Sequence, residues 1–191
     1  MTSRSGWLLA GGRIRVVAAR TDEMPIAAAI LDEASAWLAS RGLTGWPRPF
    51  SVAALEAALA LGPTYLAWEG PTAAGPTAAG ETAASETAAG TFSLHRTDVK
   101  FWGERPNEPP GHVRYLHKLA IRRCHSGLGR ELLGLAERLA GEGGAACLRL
   151  DCVAANPVIR SYYEAAGYEY RGVVSGPAFN VPYALYEKPL G

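Results

Sequence analysis

Two glycines, Gly127 and Gly129, stand in the turn Cys124-His125-Ser126-Gly127-Leu128-Gly129, and an asparagine, Asn156, and a tyrosine pair, Tyr162-Tyr163, follow downstream. A helix that begins at Gly127 or Leu128 leaves its first backbone N–H groups without partners, and residues lacking a Cβ let a bulky anion come up against them. The turn can therefore seat a phosphate. The helix dipole adds roughly 0.3–1 kcal/mol, up to about 2 kcal/mol when partly buried, which helps to hold a ligand without defining one. The same glycines would also serve a tight strand-to-helix turn with no ligand at all. No Gly-Lys-Ser/Thr follows, which argues against a P-loop, and no third glycine completes a dinucleotide fingerprint.

The flanking residues form the frame for that turn. Tyr115-Leu116-His117-Lys118-Leu119-Ala120-Ile121 is short, aromatic and branched, as a strand is. After the turn, Leu132, Leu135, Ala136, Leu139 and Ala140 recur at helical spacing, with Arg130, Glu131, Glu137 and Arg138 outside the stripe. Gly141, Gly143 and Gly144 end that helix, and Cys147 to Val153 is the next strand. A strand, helix and strand in this order need a crossover connection.

The chain of 191 residues suits one domain with a substantial core. Its 19 basic and 18 acidic residues balance to +1, which gives no electrostatic footprint for nucleic acid. Cys124, Cys147 and Cys152 cannot all pair, and they read as reduced thiols of a cytoplasmic protein. No spacing matches a zinc site and His95, His112, His117 and His125 are scattered, so no metal is implied. The apolar run Trp7-Leu8-Leu9-Ala10 is too short to cross a membrane. Residues 1–12 read as a loose N-terminal extension, and 13–191 as the single domain.

Within that domain Ile14 to Ala18 reads as the first strand. A helix follows, capped at Asp22, with Pro25 in its opening turn and Ile26, Ala29, Ile30, Ala34, Trp37 and Leu38 on one face. The turn-rich segment from Thr44 to Phe50 leads to Ser51, a cap for a second helix reaching about Leu61. Thr64 to Glu69 and Thr91 to His95 pair as a hairpin. Between them, residues 71–90 repeat a five-residue unit, Pro/Glu-Thr-Ala-Ala-Gly/Ser, with no large apolar residue to bury, so they read as a low-complexity insertion. Closing a hairpin over such a loop costs only about 1.4 kcal/mol more than over one a fifth as long. Asp98 to Gly111, with Pro106, Pro109 and Pro110, reads as an irregular loop of the kind that often carries function.

The run Asn156, Ile159, Tyr162, Tyr163, Gly167, Tyr168 after a strand resembles the Asn-x-x-Ala-x-x-x-Tyr-x-x-x-Gly-Phe signature of the GCN5-related N-acetyltransferase (GNAT) superfamily. The glycine turn resembles the same superfamily's pyrophosphate loop, Gln/Arg-x-x-Gly-x-Gly/Ala, and the two stand in the family's order. The resemblance implies an α/β (α+β) fold with a mixed, mostly antiparallel sheet, splayed between its fourth and fifth strands and flanked by helices. It implies acetyl-CoA as co-substrate and transfer of an acetyl group to a primary amine of a small molecule or peptide by direct attack in a ternary complex. A non-catalytic acyl-CoA binder or sensor is the alternative. No membrane or nucleic-acid partner is implied, and a homodimer is left open.

Carried over residue by residue, the resemblance assigns Leu119, Ala120 and Ile121 to the backbone that pairs with the pantetheine, Gly127, Leu128, Gly129 and Arg130 to the diphosphate, and Asn156 to the pantetheine arm. Asn156 ahead of Pro157 is also a good helix cap. Tyr163 falls where the family often keeps a general acid. A free tyrosine at about 10 and a thiol at about 8.5 make full proton transfer uphill by about 2 kcal/mol, so a hydrogen bond that strengthens as charge grows on sulfur is the expected contribution. His117, which ordinarily titrates near neutrality, is the candidate base, with Glu104 and ordered water as alternatives. Trp46, Trp102 and Glu104 are the candidate acceptor contacts; the two tryptophans would equally serve as packing residues. Cys124 departs from the family's Gln or Arg, leaving Arg122, Arg123 or Arg130 to supply the positive charge.

Overall fold

The computed structural model describes residues 6–43, 45–70, 86–104 and 108–191. One eight-stranded sheet runs through it: β1 (Trp7–Leu9), β2 (Ile14–Ala18), β3 (Thr64–Glu69), β4 (Thr87–His95), β5 (Val113–Ile121), β6 (Cys147–Val153), β7 (Glu169–Val174) and β8 (Tyr183–Pro189), in the spatial order β1-β2-β3-β4-β5-β6-β8-β7. Neighbours pair antiparallel except β5 and β6, which are parallel. The crossover between that pair is α4 (Leu128–Glu142), whose stripe of Leu128, Leu132, Leu135, Ala136 and Ala140 is buried on one face of the sheet. α5 (Pro157–Glu164) packs Tyr163 into the same layer. The other face carries α1 (Met24–Ser40) and α2 (Val52–Ala58), which close over Leu66, Ala88 and Ala120. This is the mixed, mostly antiparallel and helix-flanked sheet implied by the motifs.

Two irregularities in the middle of the sheet shape the rest. Thr91 pairs with Ala120 and Ser93 with His117, so one residue of β4 faces two of β5 and the strand bulges. At the bulge Lys118 has φ +54°, a left-handed conformation rare for a residue with a side chain. Pairing of β5 with β6 then runs from Val113↔Cys147 to Leu116↔Leu150 and stops, although β5 continues to Ile121 and β6 to Val153. β6 stays paired with β8 along its whole length, so the gap opens on the β5 side alone.

The helix starts follow local chemistry. Ser51 Oγ accepts from Ala54 N at 3.2 Å and Asn156 Oδ1 from Ile159 N at 3.2 Å, each relieving an unpaired donor of a first helical turn. Gly127, with φ +90°, makes the sharp entry into α4. At the α1 start the structure corrects the expected Asp22 cap: Glu23 accepts from Arg20 N at 2.7 Å and a short 3-10 turn, Thr21–Glu23, comes first.

Four other expectations are corrected. Residues 7–12 are not a loose extension, because β1 pairs with β2, Leu9 is buried, and Ala10 N donates to Glu131 Oε2 at 2.6 Å. The insertion does not extend to Gly90, because β4 begins at Thr87 and Ala88 and Ala89 are core; residues 71–85 lie outside the described residues. The buried face of α1 is Met24, Ala27, Ala28, Ile30, Leu31 and Ser35, rotated from the expected stripe because this helix is apolar almost all round. The segment after Asp98 is not wholly irregular, since Asp98 caps a short helix, α3 (Val99–Trp102), through Phe101 N at 3.2 Å.

Replacing residues 71–85 by a short turn is predicted to leave the thermal midpoint nearly unchanged. A deletion carried on to Gly90 removes the strand whose Ala88 and Ala89 carbonyls accept from Arg122 Nε and Arg122 N, each at 2.8 Å, and should lower the midpoint by many degrees. Equal midpoints in a melting experiment would contradict this boundary.

Candidate functional site

Beyond the bulge, β5 has one satisfied edge and one open one. Ala120 pairs towards β4 and Arg122 N donates to Ala89 O, so by the alternation of an antiparallel ladder the N–H and C=O groups of Leu119 and Ile121 point the other way, into the gap left by β6. An extended ligand bearing amide groups can take the place of the missing strand there.

The glycine turn lies at the end of that edge. Leu128 N is spent on His125 O at 3.2 Å and Arg130 N on Gly127 O at 3.1 Å, and no side chain caps α4. A Cβ on Gly127 would meet nothing within 4 Å, so the turn is open on its outer side. Of the three arginines beside it, Arg122 is held by Glu33 and by Ala88 O, while Arg123 stacks on Trp37 at 4.5 Å. Arg130, in the first turn of α4, lies over the Tyr162 ring at 5.1 Å and has no carboxylate within ion-pair distance among the described residues, which leaves its charge uncommitted. Cys124 is exposed and free.

In the gap itself is a cavity of about 630 Å³. Leu116, His117, Lys118 and Leu119 of β5 form one side, Asp151 of β6 and Tyr163 of α5 the opposite side, and Trp46 and Phe50 a wall delivered by the segment between α1 and α2. α3 contributes Lys100 and Phe101, and the approach to β8 adds Asn180 and Tyr183.

His117 lies between two carboxyls: Nε2 is 3.4 Å from Asp98 Oδ2 and Nδ1 is 3.9 Å from Asp151 Oδ1. His95 stacks behind it, with ring centroids 4.5 Å apart. Burial dominates the titration of all four. It pushes Asp98 up to about 6, and Asp151, with Asp98 as a like charge nearby, up to about 7. It pushes His95 down to about 4, and His117 well below its ordinary value, helped by His95 and Lys118. His117 is therefore a neutral imidazole at neutral pH, which corrects the expectation that it titrates there. Asp151 is the group that both faces the cavity and changes charge near neutrality. Asp98, His117 and Asp151 each offer a ligand atom within 4.8 Å of the others. The carboxyls approach opposite nitrogens of one imidazole without hydrogen bonding to it, and Asp98 Oδ2 is buried with no hydrogen-bond partner.

Tyr163 is 7% exposed, and burial, then Cys152, Tyr162 and Asp151, raise its phenol far above the ordinary tyrosine value. It stays protonated and can act only by donating a hydrogen bond. Tyr162 is half-buried and packed against the core, with its hydroxyl beside Gly129 and Arg130 over its ring. Asn156 is buried with Oδ1 committed to the α5 cap.

Of the expected acceptor contacts, Trp46 lines the cavity and the other two do not. Trp102 is 6% exposed and packs on the opposite side of α3, with the Arg149 guanidinium 4.7 Å from its ring and Tyr115 beside it. Glu104 is exposed and no part of the wall, so it is also removed as a candidate base. Phe101 and Lys100 stand where Trp102 was expected. Asp98, Lys118 and Asp151 escaped the sequence reading, though alternation along Cys147 to Val153 could have placed Asp151 facing away from the buried Leu148 and Leu150.

No family model matches the chain. An uncharacterized N-acetyltransferase of Bacillus subtilis, YesJ, is 35% identical over 96 residues, covering 49% of this chain and 48% of that protein, so the chain spans about half the length of its curated relative. A GNAT-family acetyltransferase from Listeria monocytogenes superposes with a TM-score of 0.68 at 24% identity, covering 96% of this chain and 99% of that one. The Salmonella typhimurium protein yncA, solved with its cofactor acetyl-CoA, superposes with a TM-score of 0.61 at 14% identity over 94% of this chain and 95% of that one. With a mostly antiparallel sheet that gaps after a bulge, the chain has the fold of these GNAT-family acetyltransferases.

Proposed function

We propose that this chain transfers an acetyl group from acetyl-CoA to the primary amine of a small molecule or peptide, within a ternary complex. The observation that carries the reading is convergence. Leu119 at the start of the open edge, the Tyr163 phenol and the Asp151–His117 pair all meet at the cavity between β5 and β6, and Ile121 carries that edge on towards the glycine turn. The fit to acetyl-CoA rests on two features, an unpaired strand edge for the amides of a pantetheine and an open helix start with an uncommitted arginine, Arg130, for a diphosphate. The acetyl-CoA held by yncA supports the same choice of donor.

Each residue then has one task. In its ionised form Asp151 takes the proton released as the amine attacks the thioester carbonyl, with neutral His117 beside it. Tyr163 donates a hydrogen bond that strengthens as negative charge gathers on the departing sulfur. Asn156 holds the start of α5 and so the position of Tyr163. A protein that only sensed acyl-CoA would use the turn and the strand edge. It would have no need of a carboxyl poised near neutrality beside the thioester, and Asp151 favours transfer on that ground.

Release of free CoA on mixing protein, acetyl-CoA and a panel of amines tests the reading directly. Tyr163→Phe should lower kcat by about 100- to 1000-fold, the range for losing one donor to a developing charge, with the melting curve nearly unchanged. In the parent, kcat/KM should rise through pH about 7 as Asp151 ionises, and Asp151→Asn should abolish that limb. Full turnover in a folded Tyr163→Phe, or binding of acetyl-CoA with no release for any amine, would defeat the proposal.

The same carboxyl has a signature without substrate. Its folded value of about 7 lies above the ordinary 3.8, so folding favours the protonated form. The stability it contributes is complete below about pH 4 and is lost as pH rises to about 7. Relative to the parent, Asp151→Asn should therefore gain stability from pH 4 to 7 and hold level above that, in urea titrations at stepped pH. A pH-independent difference would mean that Asp151 is not held protonated by the fold.

A further inference from the structure

The chain has 16 arginines and only three lysines, and two of those three, Lys100 and Lys118, line the cavity. The third, Lys188, is paired with Glu137 at 2.7 Å. Neither cavity lysine has a carboxylate within ion-pair distance among the described residues, and each is held in place by other means. Lys100 lies 5.4 Å from the rings of both Phe101 and Phe179, and Lys118 sits in the left-handed backbone of the bulge. Asp151 is the one carboxylate among the lining residues, and no residue of the glycine turn belongs to the wall. The anionic end of the donor is thus placed outside this cavity. Both ammonium groups act on Asp151, and burial lowers Lys118 from its ordinary value, so two cations face a single lining carboxylate and a second anion would balance them. The aromatic side is formed by Trp46, Phe50 and Phe101.

Resting on the acetyltransferase reading, we infer that the acceptor is a small zwitterion, an α-amino acid with an apolar or aromatic side chain, whose amine is directed to Asp151 and whose carboxylate is held by Lys100 and Lys118. A polyamine or an aminoglycoside would bring several positive charges against two ammonium groups that share one lining carboxylate, a like-charge encounter that costs affinity. The value of about 7 for Asp151 sharpens this, since at neutral pH the wall carries more positive than negative charge before the acceptor enters.

The test compares L-phenylalanine with L-phenylalaninamide, 2-phenylethylamine and spermidine, first by CoA release with acetyl-CoA and then by binding alone, read from tryptophan fluorescence. L-phenylalanine should exceed each of the other three at least tenfold in kcat/KM. Lys100→Gln and Lys118→Gln should each raise its KM about tenfold, while the KM for 2-phenylethylamine stays within twofold. Preference for the amide, the amine or spermidine, or an unchanged KM for L-phenylalanine in both variants, overturns the inference and leaves the transferase reading intact. If no amine releases CoA but L-phenylalanine still binds, and binds about tenfold more weakly to Lys100→Gln, the anion site stands and the transferase reading falls. If L-phenylalanine neither turns over nor binds, the inference falls by itself.

Discussion

The parallel ladder between β5 and β6 lasts from Val113 to Leu116 and no further, and the candidate site depends on that interruption. Parallel strands joined by a crossover helix would ordinarily pair along their shared length, because each unpaired backbone group that remains buried costs free energy. Here the bulge opposite Phe92 turns β5 away. A non-glycine residue at φ +54° is costly, of order 1–2 kcal/mol, and it persists because β4 on one side and the α1–α4 sandwich on both faces fix the strand around it. What the sheet loses in pairing it gains as an exposed strand edge next to a cavity.

The same interruption explains the chemistry of the walls. Were β5 and β6 paired to their ends, Asp151 would lie within a closed sheet. Instead it borders open space on one side and the His117 imidazole on the other, and burial from behind raises its affinity for a proton until it titrates near neutrality. Asp98 reaches the far nitrogen of the imidazole because α3 starts at that aspartate, so one residue both caps a helix and ends the row of titrating groups. The row spans two adjacent strands and a loop, and its members come together only through the fold.

That distribution sets what could be read beforehand. The local features were legible: the Ser51 and Asn156 caps, the stripe of α4 and the glycine entry to it each follow from neighbours in sequence. Tyr163 and the glycine turn were legible through the order of two motifs. Asp98 and Asp151 were not, because an isolated aspartate in a strand or before a short helix carries no mark of His117, 19 and 34 positions away from them. His117 was found, but its protonation state was misjudged, since burial cannot be read from the strand that carries it. Trp102 and Phe101 were exchanged for a similar reason: a four-residue helix has no period long enough to say which aromatic faces in. The N-terminal strand was missed because three residues give too short an alternation to register, and its place is fixed by β2 and Glu131.

The proposed donor site rests on the open edge of β5. Backbone hydrogen exchange at Leu119 and Ile121, followed with and without acetyl-CoA, measures that edge directly. Marked slowing at those two amides on addition of acetyl-CoA, with Ala120 little changed because it is already paired to β4, is the predicted result. Slowing confined to the α4 start, or none at either amide, would contradict the claim that the gap between β5 and β6 receives the donor.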